Sequence, residues 1–388
     1  MQTDVIIIGA GASGLMCAME AGKRGRLVLV LDHSPKPARK ILVSGGGRCN
    51  FSNRIMGPEH FISQNPDFVT SALSRFTPSD FLSLLESHGI QYHEREEGQL
   101  FCNRSSSEIV HMLRSECDRA AVRFQLNCRV SEISKTDGFR IETDQGIFKS
   151  QSLVVATGGL SYPQLGAGNF GYLAAKQFGM KVTKLRPALT PIKFSPGDAR
   201  VFGCLAGVSI HSTVSQGSTS FKGNLLFTHT GVSGPAILQI SSYWDRKSGL
   251  SVDLLPEVDI YSVFIEKRRS KTLLSTILDQ YLPKRFVKLW CDLHGAPKPI
   301  NQYTTHEIAS IAGSLHAWPL RAEGAEGFNK AEVTLGGVDT IDLSSRTMES
   351  KKAPGLYFVG EVIDVTGRLG GYNLHWAWAS GHAAGQFV

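Results

Sequence analysis

The chain has 388 residues, 42% of them hydrophobic and 19% charged, which is enough for a large core and two or three domains. Its seven cysteines include no Cys-x-x-Cys pair, so neither a zinc site nor a disulfide framework is indicated, and we expect no metal. No apolar run approaches the roughly 18 residues that cross a membrane. A strand is predicted to begin directly after Thr3 and Asp4, which leaves no room for a signal peptide. We therefore expect a cytoplasmic protein without a membrane partner.

The net charge of +7 would suit a nucleic-acid partner, but the basic residues are spread along the chain. The one short run is Lys267-Arg268-Arg269, with Lys271 nearby. An anionic dinucleotide cofactor also requires positive charge around it. We therefore predict a small-molecule substrate, with nucleic-acid binding as the less favoured alternative. No pattern in the sequence indicates an oligomeric state.

The chain opens on a pattern that is typical of a site for an adenine dinucleotide. Strand, glycine turn, helix, strand and acid follow one another at residues 5–8, 9–14, 15–23, 27–31 and 32. Gly9 permits a tight turn, Gly11 lets the backbone approach a pyrophosphate, and Gly14 lets the helix pack on the sheet. Asp32 would accept hydrogen bonds from ribose hydroxyls. The alternative is a glycine-rich turn of purely structural purpose, and this pattern by itself leaves FAD and NAD open.

Residues 33–53 form a predicted basic loop with three consecutive glycines, 45–47. Arg39, Lys40 and Arg48 place cations beside backbone that bends freely. Such a loop suits a second contact with the phosphates of a dinucleotide or with the polar edge of its ring. The alternative is a flexible basic loop without a ligand.

Up to residue 189 the patterns predict alternating helices and strands. Thr77 is the predicted N-cap of one helix, with Pro78 at its first position. Helices are predicted within 67–89 and at 105–121 and 172–178, and strands at 90–94, 123–126, 129–134, 139–143, 146–150 and 152–155. The last of these strands runs into glycines, so we expect Ala156, Thr157 and Gly158 near the same ligand.

From residue 190 the sequence pattern changes to short β-like stretches, and then to apolar residues at helical spacing. The last 55 residues again contain segments typical of a cofactor site, as the first 32 residues do, with a strand at 355–361 and a helix at 374–384. We therefore predict a discontinuous cofactor domain formed by 1–189 and 334–388, interrupted by an insertion at 190–333. The insertion is expected to hold a β-barrel-like part at 190–256 and about 316–333, and a helical part at about 257–315.

The end of the chain favours FAD over NAD. Residues 358–361 form a buried strand that ends in Gly360 and Glu361, followed by a Gly-Gly turn and a helix. In enzymes that bind FAD, such an acid takes a ribityl hydroxyl, and the helix N-terminus stabilises negative charge on the reduced ring. The insertion contains no second G-x-G-x-x-G unit. If NAD(P)H is the reductant, it must therefore dock transiently.

Five residues are weak candidates for catalysis: Cys49, His229, Arg368, Tyr372 and His375. The histidines, the arginine and the tyrosine would act as acid, base or orienting groups. For each, a structural role is the competing interpretation, and His375 would then face the core. Cys49 would need an exposed thiol of low pKa, so a packed structural thiol is its default interpretation. Residues 230–235 would cap a helix, and their N–H groups are candidates to bind an anionic substrate group.

The stretch KILVSGGGRCNFSN at 40–53 resembles the signature of the YhiN-type flavoproteins, which include BaiN-like and aminoacetone-oxidase-like proteins. Further matching stretches lie at 225–241, 331–338, 347–350 and 355–381. The resemblance implies an α/β protein with a Rossmann-like FAD-binding domain of the glutathione-reductase type, interrupted by a β-barrel-like domain with a helical insertion. It does not imply one particular substrate, because members of this family are linked to different reactions.

The residues predicted to contact FAD come from seven separate segments of the chain. Pattern and resemblance together select Gly9, Gly11, Ala12, Ser13, Gly14, Asp32, Arg39, Lys40, Ser44, Gly45, Gly46, Gly47, Arg48, Asn50, Val130, Ala156, Thr157, Gly158, Gly360, Glu361, Gly371, Tyr372, Asn373 and Leu374. The contact near Val130 rests on the resemblance alone.

The sequence therefore predicts an NAD(P)/FAD-dependent oxidoreductase that transfers hydride through flavin N5 to or from an unidentified small molecule. The alternative is a flavin-dependent protein that modifies tRNA or binds RNA, for which the pI near 9 and the basic run at 267–271 are the evidence. A third interpretation is a flavoprotein with a sensing or assembly role and slow turnover.

Overall fold

The computed structural model describes residues 2–246, 248–295 and 297–388. The strands are β1 Gln2–Ile8, β2 Val28–Leu31, β3 Asn50–Asn53, β4 Phe61–Ile62, β5 Tyr92–Glu94, β6 Gln99–Cys102, β7 Arg123–Gln125, β8 Val130–Thr136, β9 Gly138–Thr143, β10 Gly146–Val155, β11 Arg186–Ala188, β12 Ile192–Phe194, β13 Ser209–Gln216, β14 Thr219–Phe227, β15 Gly231–Ser233, β16 Leu250–Asp253, β17 Trp318–Leu320, β18 Ala322–Ala325, β19 Val333–Leu335, β20 Leu356–Phe358 and β21 Thr366–Gly367. The helices are α1 Ala12–Lys23, α2 Arg39–Val43, α3 Thr70–Arg75, α4 Pro78–Ser87, α5 Ser106–Arg119, α6 Phe170–Gln177, α7 Pro196–Phe202, α8 Pro235–Tyr243, α9 Ile260–Glu266, α10 Leu274–Leu278, α11 Lys284–His294, α12 Thr305–His316 and α13 Tyr372–Gly385.

The chain divides into two compact units. Unit 1 consists of Met1–Pro187 and Glu332–Val388, and unit 2 of Ala188–Ala331. Each unit has its own hydrophobic core. The boundaries between the units lie at 187/188 and 331/332. The sequence predicts them two residues later, at 189/190 and 333/334.

A seven-stranded sheet forms the centre of unit 1. Its strand order is β7-β2-β1-β10-β9-β8, and β20 also pairs with β10. Strands β7, β2, β1, β10 and β20 are parallel, whereas β9 is antiparallel to β10 and to β8. A parallel sheet whose first strand runs through a glycine turn into a helix is the Rossmann arrangement, and it agrees with the predicted fold class.

Strand β10 differs from the prediction. The sequence predicts a hairpin strand at 146–150 and a separate buried strand at 152–155, but Gly146 to Val155 form one continuous strand. Its first half pairs with β9, and the same strand pairs with β1 along 149–155. The alternating pattern of the first half and the apolar second half reflect one strand that passes from the edge into the buried sheet centre.

Local sequence signals place several helix starts as predicted. Thr77 caps α4, its side chain accepts from Asp80 N at 3.4 Å, and Asp80 completes a capping box. Ser105 caps α5 through a hydrogen bond from Ser107 N. Helix α13 begins two residues earlier than predicted, at Tyr372. It is enclosed along its length, so Trp376 and Trp378 are both buried.

Unit 2 contains an antiparallel sheet and a group of helices. The sheet order is β17-β16-β13-β14-β15-β12-β18. Strands β17 and β18 lie at opposite ends of this order, yet only Arg321 separates them in the chain. The sheet must therefore curl until its two ends meet, which is a barrel-like geometry. Helices α9 to α12 lie between β16 and β17 in the chain, at 260–316, where the sequence predicts a helical part at about 257–315; Ala296 of that part lies outside the described residues.

None of the helices in the described part of the chain is long and apolar enough to cross a membrane. Across residues 2–246, 248–295 and 297–388, no group of three or more His, Cys, Asp or Glu side chains is arranged to hold a metal ion.

Candidate cofactor site and active site

The loop between β1 and α1 has the close contacts that its glycines predict. Gly9 has φ of +110°, and a Cβ there would lie 2.4 Å from the carbonyl oxygen of Ala156. A Cβ on Gly14 would lie 2.0 Å from the carbonyl oxygen of Gly9. By contrast, a Cβ on Gly11 would meet no atom within 4 Å, and no side chain caps α1 there. The backbone at Gly11 thus borders open space at an uncapped helix N-terminus, as anion binding requires.

Ser13 joins the first glycine motif to the last. Its hydroxyl donates to the carbonyl of Val359 at 3.4 Å, and a Cβ on Gly360 would lie 2.4 Å from Ser13 Oγ. Gly360 N in turn donates to Ser380 Oγ at 2.9 Å. The two motifs stand at opposite ends of the chain, and the fold brings them together at the carboxyl ends of β1 and β20.

Asp32 lies at the carboxyl end of β2 and is largely buried. Its Oδ2 accepts from Ala10 N at 2.6 Å, and its Oδ1 accepts from Ser34 N at 2.7 Å. The carboxylate therefore fixes the glycine loop directly. A carboxylate oxygen has a second lone pair, so each oxygen of Asp32 can still accept from a ribose hydroxyl.

Lys40 and Glu361 form an ion pair beside β20. Lys40 Nζ donates to Glu361 Oε2 at 2.6 Å, and Thr334 N donates to Oε1 at 2.9 Å. The Nζ also lies 5.5 Å from the centroid of the Tyr162 ring. This pair connects the basic loop that follows Asp32 to the acid of the last strand, so both predicted contacts belong to one site.

The N-terminus of α13 is held by its own loop. Gly371, at φ of +96°, caps the helix, and a Cβ there would lie 2.2 Å from the carbonyl oxygen of Ser52. The Asn373 side chain accepts from Gly367 N and donates to the carbonyls of Gly367 and Arg368, at 2.8, 2.8 and 3.2 Å. Asn373 therefore orders the turn that presents the first N–H groups of α13.

Tyr372 and His60 form a stacked pair at the same turn. Their ring centroids are 4.6 Å apart, and Arg368 N donates to the carbonyl of His60 at 2.9 Å. Burial lowers the pKa of His60; Glu59 opposes this shift and Arg368 adds to it. Burial raises the pKa of Tyr372 to about 12, while Arg368 opposes that shift. At neutral pH the pair therefore consists of an uncharged imidazole and a phenol that keeps its proton.

The polar atoms of His60 and Tyr372 are not used in hydrogen bonds to described residues. Neither ring nitrogen of His60 hydrogen-bonds a described residue, although Glu59 Oε1 lies 3.4 Å from Nε2. The Tyr372 hydroxyl makes no hydrogen bond to a described residue, but unlike the His60 nitrogens it is not fully buried. Buried polar groups normally have partners, so His60 is a candidate for contact with a ligand, and the Tyr372 ring stacked on it lies at the same place.

Three other catalytic candidates lie in different surroundings. His375 is fully buried; its Nε2 donates to the carbonyl of Phe76 at 3.0 Å and its Nδ1 accepts from Ser52 Oγ at 2.9 Å. Burial lowers the pKa of His375 to about 4 and raises that of Cys49 to about 12, so the former is a neutral core residue and the latter an unreactive thiol. His229 is exposed on unit 2.

The remaining predicted cofactor residues border this site or its scaffold. Arg39 donates to the carbonyls of Gln164 and Leu165, Ser44 Oγ donates to the carbonyl of Ile41, and Arg48 is exposed. Gly46, Gly47 and Gly158 border open space, while Gly45 packs close to Asn50 N. Ala156 N donates to the carbonyl of Ile8 at 2.8 Å, and Thr157 Oγ1 is buried without a partner among the described residues. Ala12, Val130, Asn50 and Leu374 are partly buried.

A family model described as HI0933-like protein Rossmann domain matches residues 3–387 of this chain. The chain belongs to the HI0933-like family. This confirms the resemblance carried by the signature at 40–53, and with it the class: a Rossmann-fold family of FAD-dependent oxidoreductases.

Relatives of this HI0933-like protein match along nearly their whole length. The "Ribosomal RNA dihydrouridine synthase" of Escherichia coli (strain K12) is 47% identical over 388 residues, covering 99% of this chain and 97% of the relative. The "3-dehydro-bile acid delta(4,6)-reductase" of Clostridium scindens is 29% identical, covering 98% and 97%. Among solved structures, the open conformation of a flavocytochrome c3 fumarate reductase matches with a TM-score of 0.51 at 17% identity, covering 99% of this chain and 78% of that one. This last likeness concerns the fold.

The residues of this HI0933-like chain fit an FAD molecule on structural grounds. Gly11 leaves open space at an uncapped helix N-terminus, and Thr157 Oγ1 is a buried hydroxyl without a partner among the described residues. The Lys40–Glu361 pair supplies both a cation and an acceptor near the end of β20. An anionic pyrophosphate and a ribityl chain with several hydroxyls match these groups.

The sequence patterns did not single out two residues of the candidate site, His60 and Thr334. His60 lies in a segment with no pattern, and only its stacking on Tyr372 singles it out. Thr334 lies in the matching stretch 331–338, and its Oγ1 accepts from Leu160 N at 2.8 Å and Ser161 N at 3.2 Å, beyond the bond that Thr334 N makes to Glu361. Neighbouring Glu332 is partly buried; desolvation raises its pKa, while Lys40 opposes that shift. The stretch 331–338 was the available signal for Thr334.

Proposed function

We propose that the protein is an FAD-dependent ribosomal RNA dihydrouridine synthase, which saturates the C5–C6 double bond of a uridine in ribosomal RNA. The observation that carries the proposal is the 47% identity to the Escherichia coli protein of that name, over 99% of this chain and 97% of the relative. At this level of identity and coverage we expect the two chains to share the fold and the site. The proposal replaces the small-molecule substrate favoured by the sequence patterns with the RNA alternative.

The proposed reaction balances with a nicotinamide nucleotide as reductant. Uridine gains a hydride at C6 and a proton at C5, NAD(P)H becomes NAD(P)⁺, and one proton is taken from water. FAD, when bound, carries the hydride between the two partners through its N5. The insertion at 190–333 contains no G-x-G-x-x-G unit, so we propose that NAD(P)H docks transiently.

The proposal gives the described side chains separate tasks. The N-terminus of α13 and the Lys40–Glu361 pair hold and orient the cofactor. Negative charge develops on the C4 carbonyl oxygen of the uracil ring as the hydride arrives. The neutral His60 and the positive Arg368 are suited to stabilise it. Tyr372, which keeps its proton because burial raises its pKa to about 12, is suited to hold the proton that C5 receives.

The test uses the purified full chain with bound FAD. Anaerobic reduction with NADH or NADPH should bleach the flavin absorbance, and unmodified ribosomal RNA should then restore it. Nucleoside mass spectrometry should find dihydrouridine only in RNA that was exposed to the reduced protein. A flavin that NAD(P)H reduces but that no ribosomal RNA reoxidises would contradict the proposal.

A second candidate is reduction of a small unsaturated ketone. The Clostridium scindens relative, whose name describes a reductase of a 3-dehydro-bile acid, is 29% identical over nearly the whole chain. Both names describe saturation of a carbon–carbon double bond conjugated with a carbonyl, so one site chemistry serves both. Faster anaerobic reoxidation of the flavin by a 3-oxo-4-ene steroid than by ribosomal RNA would favour this candidate.

The proposed function requires the protein to meet ribosomal RNA in the cell. This accords with the cytoplasmic location expected from the sequence.

A further inference from the structure

Unit 2 carries a strongly basic stretch that the flavin chemistry does not use. Between Lys267 and Lys298 the sequence contains eight lysines and arginines and two aspartates. The stretch covers the turn after α9, then α10 and α11. FAD is predicted to bind unit 1, so cofactor binding does not account for this charge.

Helix α11 displays part of this charge on one face. Phe286, Val287, Trp290 and Cys291 are buried and form its inner face. Lys284, Arg285 and Lys288 are exposed, and Lys288 lies one helical turn from each of the other two, at i, i+4 and i, i+3 spacing. We call Lys284, Arg285 and Lys288 the α11 basic face.

Carboxylates do not neutralise this face. Lys284, Arg285 and Lys288 form no ion pair with any residue in the described part of the chain, and neither do Arg268 and Arg269. Elsewhere on the same unit Lys222 pairs with Glu257 at 2.7 Å and Lys298 with Glu307 at 2.9 Å.

Arg285 is also held in place. Its guanidinium donates to the carbonyls of Cys204 and Ala206, which fixes the side chain while leaving its charge uncompensated. Fixed, uncompensated cations on a surface are the feature that attracts a phosphate backbone.

An open groove of about 440 Å³ ends where α11 begins. It is lined by 209–211, 254–258 and 279–283. Tyr281 is 37% exposed as a residue, and the His211 side chain is 51% exposed. Glu257 in the lining is paired with Lys222, and Asp279 is the other acid. Exposed aromatic rings beside cations are the usual platform for unpaired bases of RNA.

We propose that the α11 basic face and this groove form a docking surface for a single-stranded segment of RNA, with phosphates along the face and a base stacked on Tyr281. The inference rests on the proposed function, because it names the surface through which the RNA substrate is held. It goes beyond that function in assigning the contact to unit 2, outside the flavin site. RNA is preferred to an acidic protein or an anionic membrane because the groove offers a flat aromatic ring, which phosphate groups alone do not need.

The first test measures binding of a fluorescent ribosomal RNA loop fragment to the full FAD-bound chain. The double variant Lys284→Glu with Lys288→Glu should weaken binding by about tenfold or more. The slope of the logarithm of the binding constant against the logarithm of the salt concentration should fall by the amount expected for the loss of about two phosphate contacts. The matched control, Lys149→Glu with Lys176→Glu, makes the same change in net charge at exposed sites of unit 1 and should bind like the parent protein. Equal weakening in both double variants, or none in either, would overturn the inference.

The second test asks for base stacking. Tyr281→Ala should weaken RNA binding by about fivefold or more, while Tyr281→Phe should retain it, because phenylalanine keeps the stacking face. If the charge-reversed variant fails to fold, Lys284→Gln with Lys288→Gln makes the same test with a smaller charge change. Flavin content and anaerobic reduction by NADH show that each variant is folded.

The outcomes separate this inference from the proposed function. A parent protein that binds the RNA fragment through Lys284, Lys288 and Tyr281, yet forms no dihydrouridine, would refute the function and retain the surface. If the charge-reversed Lys284/Lys288 variant and Tyr281→Ala form dihydrouridine with the rate and RNA affinity of the parent protein, the function would be retained and the surface refuted. Binding of phosphatidylserine vesicles or of polyglutamate with the same dependence on Tyr281 would also refute the RNA assignment.

Discussion

At the scale of single residues, burial decides which polar groups can take part in chemistry. Tyr372 and His375 are three residues apart on one helix, yet the tyrosine hydroxyl lacks a hydrogen-bond partner in the described chain while both nitrogens of the histidine have partners. Residue type alone made them equal candidates. Their surroundings make Tyr372 a candidate acid and His375 a structural residue.

Replacing Tyr372 tests its role as proton holder. Tyr372→Phe should leave flavin reduction by NAD(P)H unchanged and slow reoxidation of the flavin by RNA about 10²- to 10⁴-fold, the usual contribution of a positioned acid. Because burial raises the pKa of Tyr372 to about 12, the parent rate should not fall through loss of this proton until the pH approaches 12. Stopped-flow absorbance resolves the two half-reactions. Tyr261→Phe, at an exposed tyrosine of unit 2, is the control. Equal slowing of both half-reactions, or the same slowing in the Tyr261→Phe variant, would contradict the assignment.

The buried His375 predicts an acid-dependent loss of stability. Burial lowers the pKa of His375 to about 4, below that of an unfolded histidine near 6.5, so the unfolded state binds more protons between these values. The free energy of unfolding should therefore fall as the pH drops from about 6.5 through 4, by about 3 kcal/mol from this group. Urea unfolding across this range measures the slope. His375→Gln should remove this part of it; a slope unchanged by the substitution would count against the prediction.

At the scale of elements, two strand–turn–helix units at opposite ends of the chain meet. Helices α1 and α13 pack closely: a Cβ on Gly381 would lie 2.4 Å from the carbonyl oxygen of Ser13. This contact, with the Ser13–Val359 hydrogen bond, holds the glycine loop and the acid-tipped β20 side by side. The candidate site therefore depends on backbone approach as much as on side-chain identity.

The two glycines of the first loop should separate folding from cofactor binding. Gly14→Ala places a Cβ 2.0 Å from the Gly9 carbonyl oxygen, so it should lower the free energy of unfolding by about 1–3 kcal/mol or more. Gly11→Ala meets no atom within 4 Å, so the apoprotein should fold normally but bind FAD poorly, because the methyl group occupies the space next to the helix N-terminus. Thermal unfolding of apoprotein and FAD titration measure both. Parental FAD affinity in the Gly11→Ala variant would show that the pyrophosphate lies elsewhere.

At the scale of the whole molecule, the chain contains two separate cores within the described residues. The core of unit 1 surrounds the parallel sheet, and that of unit 2 includes the curled sheet and helices α9 to α12. The predicted FAD residues all lie in unit 1, whereas the proposed RNA surface lies in unit 2. Cofactor and partner would thus stabilise different parts of the chain.

Calorimetry should detect this division. We expect two unfolding transitions, and FAD at about 100 times its dissociation constant should raise only one of them, by about 5–10 °C, through preferential binding to folded unit 1. RNA fragment should raise the other. A single transition that both ligands shift equally would show that the units unfold together.

The sequence by itself determined the class of the protein, the cofactor motifs and the discontinuous arrangement that we expect. Those features depend on local constraints: glycine spacing, apolar strands and an acid after a strand dictate backbone geometry wherever they occur. Tertiary structure decided the rest. In the tertiary structure the two predicted strands form the single strand β10, and Lys40 pairs with Glu361. His60 stacks on Tyr372, and His375 lies in the core. These contacts join distant residues, with Lys40 and Glu361 321 positions apart. No local pattern encodes which buried polar group finds a partner and which is left for a ligand.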